Sequence, residues 1–90
     1  MKYSVRYNPQ AESALSSLNQ QERSRINAAI RQLAKSGLTS PKVHRLSGVA
    51  DALPTYALRA SNDLRVVFSV AQDVISLIDV INMRFAQRYG

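Results

Sequence analysis

Residues 53–90, LPTYALRASNDLRVVFSVAQDVISLIDVINMRFAQRYG, carry the pattern that decides the fold. Three runs within it, Thr55–Ala60, Leu64–Val70 and Val74–Ile81, are rich in β-branched and aromatic residues and read as strands. Only Ser61-Asn62-Asp63 and Ala71-Gln72-Asp73 separate them. Connections that short make the runs antiparallel hairpins. Side chains alternate along a strand, so Tyr56, Leu58 and Ala60 share one face while Ala57 and Arg59 share the other. In the next run Leu64, Val66, Phe68 and Val70 oppose Arg65, Val67 and Ser69. A three-residue turn sets Arg59 directly across from Arg65, whereas a two-residue turn puts Arg65 into the core. The first register is preferred because it keeps both charges out of the apolar layer.

Upstream, residues 2–7 alternate, with Tyr3, Val5 and Tyr7 on one side of a half-buried strand. Asn8-Pro9 marks a helix start, Asn8 as N-cap and Pro9 in the first helical position. Ala11, Ala14, Leu15 and Leu18 follow at helical spacing. Asn19 with Glu22 three residues on approximates a capping box, and Ile26, Ile30, Leu33 and Ala34 form an apolar stripe that Gly37 ends. Two helices, roughly 9–18 and 20–36, are thus expected as a hairpin. Residues 38–54 are punctuated by Pro41, Gly48 and Pro54, with Val43–Leu46 as a short extended piece. The expected architecture is α+β, in the order β-α-α-β-β-β with a short C-terminal helix. A mostly antiparallel sheet carries the helical hairpin on one face, and the other face is left open to a ligand. Residues 1–90 form a single domain, since a chain this short builds one core.

Twelve Lys and Arg against six Asp and Glu give a net charge of +6, and nine of the twelve cations are arginine. Guanidinium matches phosphate bidentately, and such a charge favours encounter with nucleic acid, an anionic membrane or an acidic protein. The two strand arginines repel across their hairpin unless water or an anion meets them. The plainer alternative is that each is solvated or paired with Asp63, Asp73 or Asp79. Arg84 and Arg88 lie one helical turn apart, followed by Tyr89.

Other chemistries find little footing. There is no cysteine, which removes thiolate nucleophiles and thiolate metal sites, and His44 is the only histidine. No cofactor and no metal are expected, since glycine-rich phosphate loops and nucleophile elbows are absent. No apolar run approaches the length of a membrane span, and no apolar leader precedes Pro9, so a cytoplasmic protein with no membrane partner is expected.

The order of elements, Arg45-Leu46-Ser47-Gly48, Tyr56-Ala57-Leu58-Arg59, Leu64-Arg65-Val66-Val67-Phe68 and the final Arg84…Tyr89 together resemble the RelE/ParE superfamily of type II toxins. The resemblance spans nearly the whole chain. It implies a metal-independent, ribosome-dependent mRNA endonuclease (an mRNA interferase) in which the RNA's own 2′-hydroxyl attacks the adjacent phosphate. It assigns Arg59 and Arg65 to the scissile phosphate, Arg84 to the transition state, and Tyr89 to proton transfer or base stacking. Lys42, Arg45 and Arg88 are assigned to RNA binding. The implied partners are a cognate antitoxin protein, the ribosome and mRNA. The chain departs from the ribonuclease pattern at Ala57, where those relatives carry a lysine, and at Leu64, where they carry an aromatic residue. His44 is then a secondary candidate for moving protons. A ParE-like toxin acting on DNA gyrase, or a non-catalytic basic RNA-binding module, are the alternative readings.

Overall fold

The Ser61–Asp63 turn is three residues long, as the preferred register requires, and it fixes everything around it. Ala60 N–H donates to the Leu64 carbonyl at 3.0 Å, and Leu64 N–H donates to Ser61 Oγ at 3.2 Å. The computed structural model describes residues 3–46 and 54–86, with side chains through residue 84. In chain order its elements are β1 (Ser4–Tyr7), α1 (Pro9–Ser16), α2 (Gln20–Ser36), a 3-10 turn (Gly37–Thr39), β2 (Val43–Arg45), β3 (Thr55–Arg59), β4 (Leu64–Ala71), β5 (Val74–Asn82) and α3 (Met83–Ala86). The strands form one sheet in the order β1-β5-β4-β3-β2, antiparallel except that β1 runs parallel to β5. The short extended piece after Pro41 is β2, the outer partner of β3.

The α2 boundaries match the sequence reading because both ends are written locally. Asn19 Oδ1 accepts from Glu22 N–H at 2.8 Å while Glu22 Oε1 accepts from Asn19 N–H at 3.1 Å, a complete capping box. At the other end Gly37 sits at φ 58, ψ −140, a conformation that costs a side-chain-bearing residue heavily. A Cβ there would also lie 2.7 Å from the Tyr3 ring. The first helix is shorter than expected. It ends at Ser16 rather than residue 18, and the Asn8 side chain makes no cap hydrogen bond.

Both helices lie on one face of the sheet, α1 against β5 and α2 against β4. Ala11, Ile26, Ile30 and Leu33 meet Leu58, Leu64, Val66, Phe68, Ile75, Leu77 and Val80 in a single buried cluster. The Tyr56 ring stacks on Phe68 with centroids 5.6 Å apart. Tyr3 and Val5 pack against this cluster, but Tyr7 is 40% exposed, contrary to the half-buried strand expected for it. The β4–β5 loop is also tighter than expected. Ala71 pairs with Val74, and Gln72 takes φ 56 to close the two-residue connection. A register shift at Val67/Phe68 leaves Ile78 as an extra residue in β5. No helix is long and apolar enough to cross a membrane among the described residues.

Candidate functional site

The face of the sheet away from the helices is where the charges gather. Arg59 pairs directly with Arg65 across β3 and β4, as the three-residue turn requires. Neither guanidinium meets a carboxylate among the described residues. Arg59 Nη2 donates to Asn62 Oδ1 at 2.9 Å. Arg65 Nη1 donates to the carbonyls of Ser61, Leu64 and Asn62 at 2.7, 3.1 and 3.2 Å. The turn thus holds both arginines with neutral acceptors. Their orientation is fixed and their charge remains. At the far end of the same face, Thr55 and Ser69 pair with each other and are buried, so the open part of the face is the end that carries the arginines.

Lys42 joins this end from the side. Its carbonyl accepts from Arg59 N–H at 2.9 Å, and it lines a shallow hollow with Arg59, Ala60, Ser61 and Asn62. His44 stands opposite Ala57 on β2, which places it on the same face as the arginine pair.

Two expected members of the cluster sit elsewhere. Arg84 turns to the helix side, where its Nη2 contacts Asp63 Oδ2 at 3.2 Å in an exposed ion pair. It lines a polar notch with Asn19, Glu22 and Arg25 at the start of α2. The physical reason is the backbone. Met83 N–H donates to the Asp63 carbonyl, and Asn82 Oδ1 accepts from Arg84 N–H at 3.0 Å, so α3 begins pinned against the hairpin tip. Arg45 pairs with Tyr56, which puts it on the helix side of the edge strand rather than beside Arg59. Arg88 and Tyr89 lie outside the described residues. Of the carboxylates considered as partners for the arginine pair, Asp63 goes to Arg84, and Asp79 accepts from Gln10 Nε2 at 3.0 Å.

Asn62 and Ser61 were not singled out from the sequence, although Asn62 orients Arg59 and Ser61 anchors Arg65. An arginine three residues before a turn asparagine was the available signal. Among the described residues no three His, Cys, Asp or Glu side chains cluster to hold a metal ion.

Comparison with solved structures places the fold. A chain of the archaeal RelE–RelB complex from Pyrococcus horikoshii OT3 superposes with a TM-score of 0.75 at 29% identity, covering 92% of this chain and 97% of that one. A chain of the toxin–antitoxin complex RelBE2 from Mycobacterium tuberculosis gives 0.76 at 16% identity, with 91% and 99% covered. The E. coli toxin RelE in its free state gives 0.70 at 21% identity, with 99% and 92% covered. No protein-family model matches the chain, and no curated protein matches it in sequence. The resemblance drawn from the sequence is therefore met by the structure: the chain has the RelE-like type II toxin fold.

Proposed function

We propose that this chain, RelE-like in fold, is the toxin of a type II toxin–antitoxin pair and acts as an RNA endonuclease on ribosome-bound mRNA. The observation that carries the reading is the Arg59–Arg65 pair, opposed on the open face, held by neutral acceptors and lacking a carboxylate counter-charge among the described residues. Two like charges on directly paired strands are unfavourable together and become favourable around one phosphate.

In the reaction the RNA 2′-hydroxyl attacks the adjacent phosphorus. The 2′-O–P bond forms, the P–O5′ bond breaks, and the products are a 2′,3′-cyclic phosphate and a 5′-hydroxyl. Negative charge grows on the non-bridging oxygens, where Arg59 and Arg65 stabilise it by fixed position rather than by proton transfer. Guanidinium stays charged, so the protons must move through other groups. Tyr89 is the carrier that the family resemblance supplies, and His44, on the same face as the arginine pair, is the second candidate. Lys42, beside Arg59, holds a neighbouring phosphate. Arg84 joins the scissile phosphate by leaving Asp63 and swinging around from the helix side, a release that an exposed ion pair worth about 0.2–1 kcal/mol permits. A cognate antitoxin neutralises the basic surface in the resting pair, and the cytoplasm, where ribosomes are, is the site of action.

Induced expression separates this reading from a gyrase-directed one. The endonuclease reading expects transcripts cut within their coding regions, ending in 2′,3′-cyclic phosphate and 5′-hydroxyl, with plasmid supercoiling unchanged. Intact transcripts with altered supercoiling would assign the chain to the ParE-like branch. Salt-sensitive RNA binding with no cleavage would make it a binding module.

A further inference from the structure

Each residue of the Ser61–Asp63 turn holds a different guanidinium: Ser61 that of Arg65, Asn62 that of Arg59 and Asp63 that of Arg84. Asp63 takes Arg84 with a full negative charge, in an ion pair at 3.2 Å. Asn62, one residue earlier, takes Arg59 through a neutral amide oxygen at 2.9 Å. A guanidinium only donates, so Oδ1 rather than Nδ2 of Asn62 faces it. A turn asparagine ordinarily serves the backbone, by taking positive φ or by accepting from a nearby main-chain N–H. Asn62 does neither. Among the described residues Gln72 is the one non-glycine residue at positive φ, and the Asn62 side chain accepts from Arg59 alone. The turn is closed without it, by Ser61 Oγ accepting from Leu64 N–H and by the Ala60–Leu64 backbone bond. The exposed Asn62 side chain is therefore spare to the fold. It lines the hollow that also holds Lys42 and Arg59.

We propose that Asn62 is a positioning residue for the reaction: its neutral oxygen fixes the Arg59 guanidinium beside Arg65 without cancelling the charge. The proposal rests on the endonuclease reading and deepens it at the same site. Arg59 is an exposed side chain directly across from a like charge, so an unheld guanidinium swings away from Arg65. The bond to Asn62 opposes that repulsion. An acid at this position would hold Arg59 as well but would neutralise it, as Asp63 does Arg84. An alanine would leave the charge and lose its place. The two properties matter to different steps. Binding of RNA counts cations, whereas stabilising the charge that grows on the phosphate needs donors already in position.

Asn62→Ala and Asn62→Asp in the full chain separate place from charge. Both change an exposed side chain at a position without positive φ, so melting temperatures near the parent value are expected. Asn62→Ala is expected to slow single-turnover cleavage of ribosome-bound message by about tenfold or more, with oligouridylate affinity and its salt dependence at the parent level. Asn62→Asp is expected to lose cleavage and also to lower the log–log salt slope by about 0.7, the share of one phosphate contact. A readout independent of cleavage is the NMR spectrum of the Arg59 side-chain N–H groups in labelled protein. Rotation of this guanidinium is expected to be restricted in the parent and free in Asn62→Ala. The proposal is overturned if Asn62→Ala cuts at the parent rate, if its cleavage loss is matched by lost RNA affinity or by a lower melting temperature, or if Arg59 is as restricted without Asn62 as with it. The two readings fail separately. A parent that cuts message, with Asn62→Ala cutting equally, removes the positioning role alone. A parent that cuts no message removes the endonuclease, and the Arg59 spectrum and the two salt slopes still decide whether Asn62 holds Arg59 in place.

Discussion

Arg59 and Arg65 look alike in sequence and differ in what holds them. Arg59 is exposed and tied by one side-chain contact to Asn62, while Arg65 is half-buried and spends one nitrogen on three turn carbonyls. Loss of the two side chains therefore has different consequences. Arg65→Ala is expected to lower stability by about 1 kcal/mol, since carbonyls that accepted a charged donor are left to solvent, and to abolish cleavage as well. Arg59→Ala is expected to leave the melting temperature near the parent value. Thermal melts of the two variants side by side check the distinction, and equal melting temperatures would show that the turn does not depend on Arg65. Arg59→Ala should also reduce the salt dependence of single-stranded RNA binding by about 0.7 in the log–log slope, the share of one phosphate contact. An unchanged slope would mean that Arg59 meets no phosphate. Arg84, by contrast, was not legible. The sequence showed only that it lies one helical turn from Arg88, but the ion pair with Asp63 joins residues 21 apart in sequence and depends on where β5 ends.

At the scale of elements, the boundaries of α2 rest on two short signals and offer the cleanest stability tests. Asn19→Ala removes the side-chain half of the capping box and should cost about 1 kcal/mol. Gly37→Ala should cost more, because it meets both an unfavourable backbone conformation and the Tyr3 ring. Denaturant titration of both variants orders them, and a Gly37→Ala loss no larger than that of Asn19→Ala would contradict the account. These features were readable because each is written within four residues of itself. The β3–β4 register was readable for a related reason: turn length and the two apolar faces agree, and a one-residue slip would have buried Arg65. The parallel seat of β1 beside β5, the extra residue at Ile78 and the early end of α1 were not readable. They follow from how distant parts of the chain meet on the finished sheet. The same holds for Tyr7, whose alternation is correct but whose position near the end of the edge strand leaves it exposed.

For the whole molecule, the division of labour follows from one layer of helices on one side of the sheet. That side buries the core, and the opposite side presents cations at the end where the face is open. A net charge of +6 favours encounter with RNA and with acidic proteins. On that open face the arginine pair holds two guanidiniums across one hairpin, the arrangement on which the proposed phosphate site rests. The most direct test of the central claim is primer extension on ribosome-bound message after expression of the parent chain and of folded Arg59→Ala. The account predicts discrete cuts within the message for the parent and none for the variant. Cuts of equal strength from both, or an uncut message from the parent, would contradict it.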